Sequence, residues 1–268
     1  MSTELDFSLI KMYFHTSPEG ADHPILEMRS DQFLDADIAK QTFLEAGKLV
    51  QAIGLELPAS FAGTSFGNLC AIQLLMFAQY HIILDLSLPN LMFQVEAHDD
   101  HAHLGYRIIE LRTIPAPVEG QEAWLAASLE RFVRETVTPA VCAIAQAAGV
   151  KPQMIWQQYG SLLAYVRDYV RDHIPVPAMV ESFEVGYRVI TEQVPPDAFG
   201  VRRNPFVHTP RYIDSPYTPD GKLMMNSSCC MYDKRENGVK CYTCPMLTPD
   251  QRESMRVEMC AKTEAQTI

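Results

Sequence analysis

Between residues 57 and 84 the chain has no acidic residue, no lysine and no arginine. A membrane-spanning helix needs about 20 predominantly apolar residues, but this stretch is interrupted by Ser60, Thr64, Asn68, Gln73, Gln79 and His81. Leu69, Ile72, Leu75, Met76, Tyr80 and Ile83 recur at helical spacing and leave most sides apolar. The stretch after Pro58 is therefore expected as a helix at the centre of a core, and the other elements must wrap around it. With 268 residues, 47% of them hydrophobic and 21% charged, the chain can bury such a core as one large domain or two small ones.

The surrounding segments are read by the same rules. Ser30 and Asp31 suit the start of a helix running to residue 51, before Gly54. After Pro89 the hydrophobic period changes, and residues 91–97 and 104–111 read as two strands joined by a polar turn over 98–103. Residues 120–148 predict a long helix kinked or split at Pro139. Residues 152–173 predict a further helix, and residues 178–193 another, stopped by Pro195-Pro196. Beyond residue 200, prolines at 205, 210, 216 and 219 punctuate short extended pieces, including residues 222–226. The expected fold class is α+β: a mostly helical body over residues 1–200 with a small antiparallel hairpin or sheet, and a loop-rich cysteine segment over residues 201–268 packed on it.

The cysteines carry the chemistry. Of seven, Cys70 and Cys142 stand alone on apolar helices and read as buried, inert thiols, while Cys229, Cys230, Cys241, Cys244 and Cys260 fall in the last forty residues. The first four of these form the pattern C-C-x10-C-x2-C. Four thiolates complete the ligand set of a [2Fe-2S] cluster, two per iron, and they equally suit a tetrahedral zinc ion. The Cys241–Cys244 spacing lets two sulfurs meet around a tight turn. The adjacent pair is harder to use, because neighbouring side chains on extended backbone point to opposite sides, so the chain must bend sharply there. Cys260 belongs to an expected terminal helix from Pro249 onward and is read as a spare thiol.

The tail resembles the C-terminal signature of the FhuF-like ferric siderophore reductases, with every spacing in C-C-x10-C-x2-C matched. Residues 155–163, Ile-Trp-Gln-Gln-Tyr-Gly-Ser-Leu-Leu, resemble that family's tryptophan-bearing helix, and Asn204-Pro205-Phe206 and Tyr232 also fit. One departure is visible: many relatives carry basic residues before the paired cysteines, where this chain has Asn226-Ser227-Ser228. The resemblance implies a [2Fe-2S] cluster on Cys229, Cys230, Cys241 and Cys244. It also implies one-electron reduction of a ferric, hydroxamate-type siderophore, which releases iron because the ferrous ion binds hard oxygen donors far less tightly. It further implies a ferredoxin- or flavoprotein-type electron donor and peripheral contact with an inner-membrane siderophore importer. A zinc-stabilised four-cysteine binding module without redox activity is the alternative. A fragment of a siderophore synthetase is disfavoured, since no phosphate-cradling glycine run is present.

Charge narrows the partners. The net charge of -11 disfavours nucleic acid and anionic lipid, and -10 of it sits in the first 110 residues. The near-neutral remainder is expected to carry the substrate and donor contacts. The candidate contacts are Tyr232, Lys234, Arg235 and Lys240 near the cysteines and Arg202 and Arg203 upstream, each equally at home in a solvated loop. Ser227, Ser228 and Thr243 are candidate hydrogen-bond donors to the sulfurs. His98, Asp99, Asp100, His101 and His103 hold metal-competent groups, but their turn position favours solvation. The acidic start of the chain lacks the basic and apolar regions of a signal peptide, so a cytoplasmic protein is expected.

Overall fold

A computed structural model describes residues 5–98, 101–218 and 220–266. The helices in chain order are α1 (Ser8–Phe14), α2 (Ala36–Leu49), α3 (Glu56–Tyr80), α4 (Gln121–Phe132), α5 (Thr138–Ala148), α6 (Pro152–Trp156), α7 (Tyr159–His173), α8 (Pro177–Arg188) and α9 (Pro249–Gln266). The strands are β1 (Thr16–Ser17), β2 (Pro24–Arg29), β3 (Ile82–Leu84), β4 (Leu91–His98), β5 (His101–Ile108), β6 (Thr113–Pro115), β7 (Tyr212–Asp214) and β8 (Lys222–Met224).

The charge-free stretch forms α3, which packs against α2, α5, α6, α7 and α8. It is long and apolar enough by length and composition to cross a membrane, and most of it is buried inside the fold. Its buried polar residues, Ser60, Ser65 and Gln73, all have hydrogen-bond partners. The Gln73 side chain both donates to Leu84 O (2.8 Å) and accepts from Leu84 N (2.8 Å), tying the helix to β3. Ser65 Oγ lies 2.6 Å from the Tyr106 hydroxyl, tying it to β5. Two glycines let the neighbours approach closely. A Cβ on Gly63 would lie 2.6 Å from Ile155 Cγ2, and one on Gly67 would lie 3.3 Å from Tyr159 and Leu162.

The expected hairpin is β4 and β5, in register from Leu91 opposite Ile108 to His98 opposite His101. It is the middle of a four-stranded sheet, β1-β5-β4-β2, in which β1 runs parallel to β5 and β2 antiparallel to β4. The two outer strands were not expected. Leu91, Phe93, Val95, Tyr106 and Ile108 are buried and join the core around α3. Asp99 and Asp100, two of the five histidine and aspartate residues considered as a metal site, lie outside the described residues. His103 stacks on His15 at 3.9 Å between ring centroids.

Two long helices depart from expectation in form. Over residues 120–148 the chain stays helical through Pro139, because Val133–Val137 widens to a π-helical turn. A proline ring clashes with the carbonyl four residues back, and the wider turn gives it room. The expected helix 152–173 is instead broken at Gln157-Gln158 into α6 and α7. The helix from Pro177 likewise ends in a π-helical turn over Val189–Gln193. Cys70 is fully buried, and burial pushes its thiol pKa well up, as expected of an inert core thiol. Cys142 corrects the reading: it is exposed, on the outer face of α5, while Val141, Ile144 and Ala145 point inward.

The close approach of α3 to Ile155 gives a test. Gly63→Ala should lower stability by about 1–3 kcal/mol by overpacking that contact. Gly47→Ala in α2 should be neutral or stabilising, because its Cβ would meet Ala52 and Pro58 only at 3.4 Å or more and alanine favours a helix by up to about 1 kcal/mol. Denaturant midpoints of the two variants check this, and an unchanged midpoint for Gly63→Ala would contradict it.

Candidate metal centre

The break between α6 and α7 is where the cysteine segment attaches. In an unbroken helix Gln157 O would accept from Ser161 N. Here the Ser227 hydroxyl stands between them, donating to Gln157 O (2.6 Å) and accepting from Ser161 N (3.2 Å). Gln158, turned inward by the same break, donates to Ser60 Oγ (2.9 Å), and Ser60 in turn donates to the carbonyl of Cys230 (2.9 Å). The segment also approaches α7 closely at Gly160, where a Cβ would fall 2.7 Å from the Cβ of His208. Asn204 and Phe206 anchor the approach: Asn204 Nδ2 donates to Ile190 O (2.7 Å) and Val194 O (3.0 Å), and Phe206 is buried against Tyr159 and Phe199.

Two arms carry the sulfurs. The first, Asn226 to Cys230, bends at Met231, whose φ of 62° lies in the left-handed region. This supplies the sharp turn that an adjacent pair of ligands needs, and Lys234 N closes it on Met231 O (2.8 Å). The second arm turns at Cys241–Cys244, closed by Cys244 N on Cys241 O (2.9 Å). Asn226 N bonds Thr243 O (3.0 Å) and joins the arms. From behind, Arg252 of α9 donates to Tyr242 O (3.2 Å) and Cys244 O (2.8 Å). Residues 234–236 pair with residues 51–53, so the loop between the arms is also fixed to the body.

The four thiols are neighbours. Cys241 has Cys230 and Cys244 as electrostatic neighbours and Thr243 Oγ1 beside its sulfur, and Cys244 also neighbours Cys229. The Cys230 thiol, supported by the hydroxyl of Thr243 and acting against burial, pulls the Cys241 pKa down to about 6. Cys230 moves the other way, because its proton is held by Cys241 and burial adds to the effect. Burial raises Cys244 as well. Asn226 Nδ2 and Thr243 Oγ1 each lie 3.7 Å from Cys241 Sγ. On the other side, Cys229 Sγ contacts Asp233 Oδ1 at 3.8 Å, and Asp233 is ion-paired to Lys240 at 2.6 Å. The Lys240 ammonium holds the Asp233 carboxyl below its usual range.

Cys244 is buried and the other three are half-buried. Among the described residues, no three histidine, cysteine or acidic side chains already surround one ion-sized point. The fit to a metal group is judged on donor chemistry and contacts. Four contiguous thiols, one of them favoured as thiolate at neutral pH and supplied with hydrogen bonds to its sulfur, fit a cluster held by cysteine alone. Cys260 is apart from this set, with its sulfur 3.5 Å from Pro216 O.

A cleft of about 1060 Å³ opens beside the centre, reaching Cys229 between α6, the 200–208 segment and the first arm. Arg202, Arg203, Lys234 and Lys240 line it, so four of the six expected contact residues come together. Tyr232 and Arg235 are not among its lining residues. Tyr232 stacks on Phe61 of α3 (6.1 Å), and Arg235 lies over the Tyr232 ring (4.7 Å) and donates to its hydroxyl (2.7 Å). A smaller, mostly apolar cavity of about 360 Å³ reaches Cys230, between Phe61, Tyr165 and Met225.

Of the expected sulfur donors, Thr243 is in place, whereas Ser227 and Ser228 bond Gln157 instead. Ser60, Gln158, Asp233, His208 and Arg252 were not anticipated. Only the resemblance of residues 155–163 pointed toward that part of the body.

Residues 227–245 match the family model of the FhuF 2Fe-2S C-terminal domain. The match spans Cys229, Cys230, Cys241 and Cys244, the four thiols brought together here. No curated protein matches the chain.

Serine substitution singly at Cys229, Cys230, Cys241 or Cys244 should abolish iron retention and visible absorption, while the same change at Cys70, Cys142 or Cys260 should leave both. Iron analysis of the purified variants checks this, and loss at Cys260 with retention at Cys229 would contradict the ligand set. Ser227→Ala should cost about 1 kcal/mol, the worth of an ordinary hydrogen bond. It should also raise amide hydrogen exchange across residues 227–245 while α3 stays protected. Unchanged exchange there would show that the inserted hydroxyl does not hold the segment.

Proposed function

We propose that the protein is a ferric siderophore reductase that passes one electron from a [2Fe-2S] cluster on Cys229, Cys230, Cys241 and Cys244 to ferric iron and releases ferrous iron in the cytoplasm. The observation that carries this reading is the convergence of the four thiols at the edge of a cleft wide enough for a metal chelate, within the matched domain. When bound, the cluster supplies a single electron, which is the stoichiometry of the ferric-to-ferrous step.

The chain's own residues do the rest. Of the four cysteines Cys229 borders the cleft, and the electron path to a docked chelate is assigned to it. Asn226 and Thr243 hydrogen-bond the Cys241 sulfur, and such bonds favour the more negatively charged, reduced state. Cys244 is buried under Arg252 and Tyr242, which keeps water from that side. The Lys240–Asp233 pair stands at the border between centre and cleft. Arg202, Arg203 and Lys234 face the docked molecule. No general acid is required, because no bond in the chelator breaks.

We further propose that a hydroxamate-type siderophore is the substrate, that a ferredoxin- or flavoprotein-type protein reduces the centre, and that the enzyme works beside an inner-membrane siderophore importer. The test is anaerobic mixing of the chemically reduced protein with a ferric trihydroxamate and a ferrous-specific chromogenic chelator. Reoxidation of the centre with one ferrous ion trapped per chain is the expected result. A colourless protein that contains zinc, or a coloured one that the chelate does not reoxidise, would overturn the proposal.

A further inference from the structure

The cleft differs in charge from the molecule that surrounds it. The whole chain is net -11, yet the charged residues lining the cleft are Arg202, Arg203, Lys234, Lys240 and Asp233, with His208 beside them. Lys240 is used by Asp233. Arg202, Arg203 and Lys234 have no ion-pair partner among the described residues, and all three are exposed. They sit on two separate walls, the arginines after α8 and the lysine just beyond the Met231 bend. His208 adds no competing negative group; its Nε2 is buried without a hydrogen-bond partner, and burial together with Arg211 and Arg203 disfavours its charged form. The acidity of the chain lies elsewhere, in the first 110 residues, none of which lines the cleft.

Three exposed cations without an ion-pair partner among the described residues line one cavity, and a cavity lined by one sign concentrates the opposite ion. We infer that the cleft selects metal chelates with an anionic periphery, recognised by Arg202 and Arg203 on one wall and Lys234 on the other. The inference deepens the reductase reading and rests on it for the choice of a metal chelate as ligand. It adds that carboxylate groups on the chelator, not the iron-binding hydroxamates alone, determine which siderophore is held. A guanidinium pair suits this role because its planar fork matches a carboxylate. The geometry of iron coordination need not change between accepted and rejected ligands, so discrimination arises in binding and not in the electron-transfer step.

The test uses redox-inert gallium(III) complexes, so that binding is read without reduction. Desferrioxamine B and its N-succinyl derivative share one trihydroxamate metal site and differ only in ending on an ammonium or a carboxylate. Titration calorimetry on the cluster-bearing protein should show the carboxylate complex binding about tenfold or more tightly at low salt, with the preference largely lost near 0.5 M salt, where screening is complete within a few ångströms. Arg202→Gln/Arg203→Gln should remove most of the preference, and Lys234→Gln, on the other wall, should reduce it independently. Equal affinities, tighter binding of the ammonium complex, or no binding of either would overturn the inference. So would a double variant that shifts the potential of the centre but keeps the preference, which would mean that the cations serve only the cluster. If the carboxylate complex is preferred but its ferric counterpart is not reduced, the charge selectivity stands and the reductase reading falls.

Discussion

The cysteine segment meets the helical body at a hydroxyl placed inside a helical hydrogen bond. Ser227 takes both the carbonyl of Gln157 and the amide of Ser161, and so it satisfies the two groups that the α6–α7 break would leave without partners. The same break turns Gln158 toward Ser60, whose hydroxyl reaches the Cys230 carbonyl. One backbone irregularity therefore fixes the first cysteine arm at both ends, and the second arm follows through Asn226 and Thr243. The long buried helix α3 supplies the rigid surface for this, carrying Ser60 and lying close enough to α6 and α7 only because Gly63 and Gly67 lack side chains.

The parts that were legible in the sequence share a property: they depend on local spacing. A helix apolar on most sides has to be central, and α3 is. Alternating residues in 91–108 announced a hairpin, and C-C-x10-C-x2-C announced the thiols. What escaped depends on contacts distant in sequence. Ser227 acts 66 residues away from Ser161, and nothing in residues 152–173 signals that another segment opens the helix. The two-residue strand β1 is too short to show a period, and β2 only borders the sheet. Cys142 looked buried because its neighbours are apolar, but the helical phase that buries Val141, Ile144 and Ala145 turns it outward. The serines before the paired cysteines were a departure from the family pattern, and their role as anchors appears only when the body is folded against them.

The site also separates two environments around one set of sulfurs. Cys229 borders a polar, cationic cleft, whereas Cys230 borders a smaller apolar cavity. Tyr232 and Arg235, whose residue types suggested substrate contact, pack the loop on Phe61 and do not line the cleft. The four expected residues that do line it bring cations from two segments of the sequence to one space, a juxtaposition that spacing alone does not reveal.

The central claim is that these four thiols hold a two-iron cluster and not a single redox-silent ion. Electron paramagnetic resonance of anaerobically prepared protein, before and after chemical reduction, tests it most directly. The account predicts silence in the oxidised state and, on reduction, a spin-half signal integrating to one electron per chain, as antiferromagnetically coupled ferric and ferrous ions give. A protein that stays silent after reduction and carries one zinc per chain would contradict it.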